Sequence, residues 1–166
     1  GRRRELSHAQ LVDEVGRAAA GFRRLGLGRG DRVAAFLPNC VEAVVAMLAA
    51  TSLGAIWSSS SPDFGAAGAH DRFAQISPRL LLTVDGYRYA GKAIDVRPVV
   101  AELADKLPGL DAVVMIPYLA GLSDAAAGSV TIPRAISWQA LTADDAPLEF
   151  AATPFDHPLY ILYSSG

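Results

Sequence analysis

Residues 30–65, GDRVAAFLPNCVEAVVAMLAATSLGAIWSSSSPDFG, contain the pattern that decides the fold. The apolar run Arg32–Leu37 is bounded by glycine and proline, which predicts a strand buried on both faces. A helix is predicted to begin near Asn39, because an apolar stripe with helical spacing follows, made of Val41, Val44, Val45 and Leu48. Ala55–Ser58 then begins a second strand that runs into the serines at 58–61. Strand, helix and strand form a right-handed βαβ unit, and α/β proteins bind ligands at the carboxyl ends of such strands.

The composition predicts a single packed domain. The chain has 166 residues, of which 51% are hydrophobic and 19% charged, so it is too short for two large domains. A net charge of −2 gives no electrostatic footprint for nucleic acid. No apolar run reaches the roughly 18 residues of a membrane span, and no signal peptide opens the chain. The single cysteine, Cys40, fits a reducing cytoplasm. We therefore expect a cytoplasmic protein without nucleic-acid partners and without a membrane span.

The whole chain alternates helix and strand. We expect parallel strands near residues 32–37, 55–59, 79–84 and 112–116, with helices on both faces of the sheet. Ser7 and Gln10 have the spacing of a capping box, which predicts the start of the first helix. Asp63 is the predicted cap of a later helix that runs to about Gln75. Residues 87–94 are predicted to form a loop.

The pattern changes in the last third of the chain. Residues 117–158 are rich in Gly, Ala, Ser, Asp and Pro, and contain two short pieces, 130–132 and 136–138, that fit either an edge hairpin or isolated extended segments. Leu159–Tyr163 is predicted to be a strongly apolar strand. A parallel strand of this kind is normally followed by a covering helix, so we expect that 1–166 is one α/β subdomain of a longer chain.

The residues alone offer one candidate ligand site. Ser164, Ser165 and Gly166 form a small hydroxyl-and-glycine turn after a strand, which suits phosphate oxygens but is also a common structural turn. Arg88 and Lys92 either hold an anion or are solvent-exposed.

Other polar residues have structural interpretations. The serines at 58–61 are typical of a solvated loop, and Asp71-Arg72 is typical of a helix surface. A buried, inert Cys40 is favoured over a reactive one. The histidines have no metal-ligand spacing, and no catalytic triad or pair of carboxylates can be assembled.

The ordered motifs identify a family. The run from Leu6 to Gly65 resembles the amino-terminal subdomain of the acyl-adenylate-forming ligases, the acyl-CoA synthetase superfamily. The terminal YILYSSG is similar to the start of that superfamily's phosphate loop, which is normally continued by Thr-Thr-Gly and a Pro-Lys pair. Within the superfamily, WSSSSPDFG followed by DRFAQISPRLLLTVDGY is most similar to the acetoacetyl-CoA synthetases. The resemblance extends over nearly the whole chain.

This resemblance implies a two-step ligase that uses acetoacetate, ATP with Mg²⁺, and CoA. A carboxylate attacks the α-phosphorus of ATP to give an acyl-adenylate and pyrophosphate, and the CoA thiol then displaces AMP. By resemblance, Ser164, Ser165 and Gly166 open the loop that holds the β- and γ-phosphates. The acyl pocket, the adenine contacts, the Mg²⁺ carboxylate and the catalytic lysine are implied to lie beyond Gly166, so we expect the 166 residues alone to be inactive.

The resemblance also implies a CoA site. Lys92 stands where acetyl-CoA synthetases carry an arginine that contacts the CoA phosphates. The position of a second such arginine falls on Tyr89, with Arg88 beside it. Pro62 and Asp63 match a segment near the pantetheine arm.

Two alternatives to an acetoacetate–CoA ligase remain. Within the enzyme class, an acetyl- or propionyl-CoA synthetase is the alternative. Outside it, the chain would be a non-catalytic α/β binding module, since a fold does not by itself give a function.

Overall fold

Helices and strands alternate along the computed structural model, which describes residues 4–119 and 130–164. The elements in chain order are α1 His8–Arg24, β1 Arg32–Phe36, α2 Val41–Ser52, β2 Ile56–Ser60, a 3₁₀ turn Pro62–Phe64, α3 Gly65–Ile76, β3 Leu80–Val84, β4 Gly86–Tyr89, β5 Lys92–Asp95, α4 Arg97–Lys106, β6 Ala112–Ile116, β7 Ala135–Ser137 and α5 Trp138–Leu141. No helix among these residues is long and apolar enough to cross a membrane.

The four predicted strands, which are β1, β2, β3 and β6, lie in one five-stranded parallel sheet. Its order is β2-β1-β3-β6-β7, and each neighbouring pair is parallel. All five residues of β3 are buried, as expected for a central strand that is covered on both faces. The prediction of a mostly parallel sheet is therefore confirmed.

Helices cover the sheet in two pairs, α1 with α2 and α3 with α4. The predicted capping box starts α1, because the Ser7 hydroxyl accepts from the Gln10 amide at 3.2 Å and the Gln10 side chain accepts from the Ser7 amide at 2.8 Å. Helix α2 begins one residue later than predicted, with Cys40 rather than Asn39 at the cap position. Helices on both faces are confirmed.

The short piece 136–138 contributes to a fifth strand. Residues of β7 pair in parallel with Val113–Met115 of β6, so they join the main sheet instead of forming an edge hairpin. The Ser137 hydroxyl then accepts from the Ala140 amide at 3.1 Å and caps the single turn of α5. No strand is assigned to the described residues 130–134, so the other short piece forms no edge strand.

The segment after β7 lies directly against α1. Gly16 and Gly21 have no side chain there, and a Cβ on either would collide with backbone carbonyls of Ala146 and Leu141 respectively. Arg24 holds the same contact, because it donates to the Leu141 carbonyl at 2.8 Å and to the Asp144 carboxylate at 2.6 Å. Two glycines and one arginine of α1 therefore fix the position of the segment that follows β7.

Candidate functional site

All strands of the parallel sheet point the same way, so their carboxyl ends share one edge. At this edge β2 is followed by the turn Pro62–Phe64 and β3 by the hairpin of β4 and β5. The Asp85 carboxylate, directly after β3, accepts from the amides of Tyr118 and Leu119, both at 2.9 Å. Asp85 thus ties the segment after β6 to the hairpin. Every described residue of the predicted ATP and CoA sites lies at this edge or on the hairpin that extends from it.

Ser164 reaches the edge on a segment that runs parallel to β2. The Trp57 amide donates to the Leu159 carbonyl at 3.1 Å, and the Ile161 amide donates to the Trp57 carbonyl at 2.9 Å. This is a single β-bridge between Trp57 and Tyr160. Ser164 is exposed three residues beyond Ile161, while Ser165 and Gly166 lie outside the described residues.

The prediction of a full strand over 159–163 is wrong, and the reason is local. The Ile161 carbonyl accepts from the Ser58 hydroxyl at 2.9 Å. A continued parallel ladder would instead use the amide of Ser59. The side chain of Ser58 therefore takes the place of the next ladder bond. Leu159 and Leu162 are also 48% and 79% exposed, so the segment is not buried as an apolar strand would be.

The serine run differs from a solvated loop. Ser58 and Ser60 are buried, lie on β2 and share one face of the strand, while Ser59 is exposed. Among the described residues, the buried Ser60 hydroxyl has no hydrogen-bond partner. The buried hydroxyls of Ser58 and Ser60 therefore lie along one face of β2, toward the edge of the sheet where Ser164 lies.

The predicted loop 87–94 is a β-hairpin. Strands β4 and β5 pair antiparallel, and Ala90 and Gly91 connect them with φ angles of 48° and 79°. A two-residue connection with both φ angles positive matches the right-handed twist of a hairpin. The sequence Tyr-Arg-Tyr alternates as a strand does, which is the signal that a loop interpretation overlooks.

This hairpin separates the three predicted CoA residues that it carries. Tyr89 pairs with Lys92, so their side chains share one face, and Arg88 pairs with Ala93 on the other. All three are exposed. Lys92 and Arg88 therefore do not converge on one anion, and Lys92 has Tyr89 as its neighbour.

The two predicted residues after β2 occupy the 3₁₀ turn. Pro62 is buried and Asp63 is exposed. The prediction that Asp63 caps the next helix is wrong, because α3 begins at Gly65, with Phe64 at the cap position and no side-chain cap bond. Gly65 has a φ of 67°, which separates the turn from the helix. The exposed Asp63 carboxylate lies in the turn itself.

One cluster at this edge escapes sequence reasoning. The guanidinium carbon of Arg72 lies 4.4 Å from the ring centre of Phe64 and 5.9 Å from that of Tyr163. The Tyr163 hydroxyl donates to the Arg72 carbonyl at 2.5 Å. Asp71-Arg72 is thus not simply a helix surface. No spacing signals the contact, because 91 residues separate its partners.

A cleft of about 1040 Å³ opens on the α2 side of the same edge. Its lining is largely apolar and includes Leu37, Val44, Met47, Trp57 and Tyr118. Cys40 also borders it, and burial raises the pKa of this thiol to about 11. The expectation of a buried Cys40 is therefore wrong, because the residue is only half-buried, while the raised pKa agrees with an unreactive thiol.

The described residues do not build a metal site. Among positions 4–119 and 130–164, no group of three His, Cys, Asp or Glu side chains could hold a metal ion. The edge offers the hydroxyls of Ser60 and Ser164 and, on the hairpin that extends from it, the cations Arg88 and Lys92.

Comparison with known proteins adds the family. The whole chain, residues 1–166, matches the AMP-binding enzyme family. The chain is 47% identical over 165 residues to the acetoacetyl-coenzyme A synthetase of Rhizobium meliloti (strain 1021), covering 97% of this chain and 24% of that protein. It is 44% identical over 168 residues to the acetoacetyl-CoA synthetase of Xenopus tropicalis, covering 98% of this chain and 25% of that protein.

A solved structure agrees. The fold matches the acetoacetyl-CoA synthetase from Streptomyces lividans with a TM-score of 0.88 and 45% sequence identity, over 99% of this chain and 24% of that one. The chain thus spans about a quarter of the length of the relatives it matches. These matches confirm the family resemblance that the motifs predict.

Proposed function

Because the chain belongs to the AMP-binding enzyme family, we propose that it is the amino-terminal part of an ATP-dependent acetoacetate–CoA ligase. The observation that carries this proposal is identity of 44% and 47%, over 98% and 97% of the chain, to proteins named acetoacetyl-CoA synthetase. The proposed reaction has two steps. The acetoacetate carboxylate oxygen bonds to the α-phosphorus of ATP as pyrophosphate leaves. The CoA sulfur then bonds to the acyl carbon as AMP leaves and the thiol proton is released.

Ser164, Ser165 and Gly166 are the proposed contacts for the β- and γ-phosphates. The geometry of Ser164 supports this role, because it is exposed at the carboxyl edge of the sheet, where parallel α/β folds bind ligands. The β-bridge between Tyr160 and Trp57 of β2 fixes the direction in which the chain runs toward Ser164. Hydroxyl and backbone N–H donors at this position would hold phosphate oxygens while pyrophosphate leaves.

Lys92, Tyr89, Arg88, Pro62 and Asp63 are the proposed CoA contacts. Since Lys92 and Tyr89 share a hairpin face, we assign them together, the ammonium to a phosphate and the ring to a stacking surface. Arg88 faces the other way, so we assign it a separate contact. Pro62 and Asp63 lie in a turn at the sheet edge, where an extended pantetheine arm would pass.

Mg²⁺ is proposed only as the ion that accompanies ATP. The described residues provide no group of three ligands for it, so no step is assigned to a metal held by this part of the chain. The proposed location is the cytoplasm, in keeping with the single cysteine of the sequence.

The test is the first half-reaction of the full-length protein that contains this chain. Pyrophosphate exchange into ATP is measured with acetoacetate, acetate and propionate, without CoA. We expect the largest kcat/KM with acetoacetate. Equal or higher kcat/KM with acetate or propionate would replace the acetoacetate assignment by an acetyl- or propionyl-CoA synthetase. Absence of pyrophosphate exchange with all three acids would favour the alternative of a non-catalytic α/β binding module.

A further inference from the structure

Arg72 touches two aromatic rings that belong to different proposed binding regions. Its guanidinium carbon is 4.4 Å from the ring centre of Phe64 and 5.9 Å from that of Tyr163, both within cation–π range. Phe64 ends the turn Pro62–Phe64 on the proposed CoA side. Tyr163 directly precedes Ser164 on the proposed ATP side. One side chain of α3 therefore lies against both.

Hydrogen bonds hold this arrangement in place. Arg72 Nη1 donates to the Gly68 carbonyl at 2.7 Å, and the Tyr163 hydroxyl donates to the Arg72 carbonyl at 2.5 Å. Burial raises the pKa of the Tyr163 phenol, so the hydroxyl keeps its proton at neutral pH and stays a donor. None of the ion pairs among residues 4–119 and 130–164 involves Arg72. Its charge is therefore met by rings and a carbonyl rather than by a carboxylate.

The position of Ser164 depends on this contact. The backbone bonds between its segment and β2 end at Ile161, whose carbonyl accepts from Ser58, and Ser58 also hydrogen-bonds the Tyr163 phenol. On its other side, Tyr163 is held by its hydroxyl bond to the backbone carbonyl of Arg72 on α3 and by the contact of its ring with the Arg72 guanidinium. A displacement of Arg72 would therefore move the residue immediately before Ser164.

We propose that Arg72 is a positioning residue that couples the Pro62–Phe64 turn to Ser164, so that a change on the CoA side alters the binding of ATP phosphates. This proposal rests on the proposed function. The coupling passes from the Phe64 ring to the guanidinium, and from there to the Tyr163 ring. It predicts that a change at Phe64 affects ATP even when no CoA is present.

The test uses Phe64→Leu, Arg72→Met and the double variant of the full-length protein in CoA-free pyrophosphate exchange. Phe64 is 53% exposed, so its replacement leaves the core intact. We expect KM for ATP to rise about threefold in Phe64→Leu and about fivefold in Arg72→Met, as the loss of one and two cation–π contacts predicts, with kcat changed by less than about twofold. The double variant should match Arg72→Met, because Phe64 acts through Arg72. Arg17→Met on α1, which removes an exposed ion pair with Asp145, is the matched control and should leave KM unchanged.

Hydrogen exchange separates this proposal from the proposed function. The Ile161 amide, which donates to Trp57, should exchange faster in Arg72→Met and in Phe64→Leu than in the parent or in Arg17→Met. A parent protein without pyrophosphate exchange activity would refute the proposed ligase function. Faster hydrogen exchange at the Ile161 amide in the variants would still support the contact between Arg72 and Tyr163. An unchanged KM for ATP in Phe64→Leu of an active enzyme would overturn the coupling, and so would additive effects in the double variant. Unchanged exchange at Ile161 would overturn it whatever the activity.

Discussion

Gly21→Ala should destabilise the protein, while Gly68→Ala should not. Both glycines lie inside helices, so each substitution gains roughly 1 kcal/mol of helix propensity. A Cβ on Gly21 would collide with the Leu141 carbonyl oxygen and lie 2.8 and 2.9 Å from Cγ and Cδ1 of Leu141. A Cβ on Gly68 would meet its nearest atoms, on Arg72 and Phe64, at 3.4 Å, which is ordinary contact.

The magnitude follows from the size of the collision. Carbon atoms prefer separations of about 3.5–4.0 Å, so Leu141 would have to move by roughly 0.7 Å or more. The nearest atom belongs to the backbone and cannot rotate away, which places the cost near the upper part of the usual range for overpacking, about 3 kcal/mol. After the gain in propensity, Gly21→Ala should lose about 2 kcal/mol, or roughly 4–8 °C of Tm, and Gly68→Ala should gain about 2–4 °C.

Thermal unfolding of the 166-residue chain, followed by circular dichroism, measures both shifts. Arg24→Met tests the same contact between α1 and the segment after β7, because it removes the bonds to Leu141 and Asp144 without introducing a collision. A Tm for Gly21→Ala equal to or above that of the parent would refute the close approach of α1 to Leu141. A fall of Tm in both glycine variants would refute the difference between the two positions.

The remaining predictions concern binding and pH. In the full-length enzyme, Lys92→Ala should raise KM for CoA about fivefold and leave pyrophosphate exchange unchanged, as loss of one charge-assisted contact implies; a parallel fall of both half-reactions would contradict the CoA role. Ser165→Ala should slow adenylation about tenfold to a hundredfold and leave thioester formation from preformed acyl-adenylate unchanged, and parallel loss in both assays would indicate a merely structural turn. The Arg97 hydrogen bond lowers the pKa of Asp95, so this carboxylate stabilises the fold above its unfolded pKa of about 3.9 and the effect is lost as pH falls through the lower folded pKa. Urea unfolding of Asp95→Asn should therefore show a stability deficit at pH 7 that shrinks below about pH 4, whereas a constant deficit would exclude the linkage.

Four of the five strands of the parallel sheet are predictable from the sequence, because each of them is signalled within a few residues. Arg32–Phe36 and Leu80–Val84 are short apolar runs between turn residues, which mark strands buried on both faces. The capping box at Ser7 is equally local. Parallel order then follows from the intervening helices, since a crossover must return the chain to the same end of the sheet.

The structure differs from the sequence prediction where groups that are distant in the sequence compete with a local pattern. Leu159–Tyr163 has the composition of a strand, but the hydroxyl of Ser58 takes the ladder position after Trp57. The Arg72 cluster joins residues 91 positions apart, and no short motif signals it. The hairpin at Arg88 is different, because its alternation and Ala-Gly turn are readable and indicate a strand pair.

The single bridge between Trp57 and Tyr160 has a consequence for the order of folding. The paired residues of neighbouring strands lie 22 to 47 positions apart in the sequence, whereas the Ser58–Ile161 bond closes a loop with a sequence separation of 103 residues. Closing so long a loop costs more chain entropy than closing the shorter loops between paired strands. Few backbone bonds repay that cost, so the segment should dock after the sheet has formed and be the first to open. Under mild denaturant, a protease should therefore cut near residues 155–162 while β1 and β3 remain protected, and the edge that presents Ser164 would be the last part of the domain to acquire its native geometry.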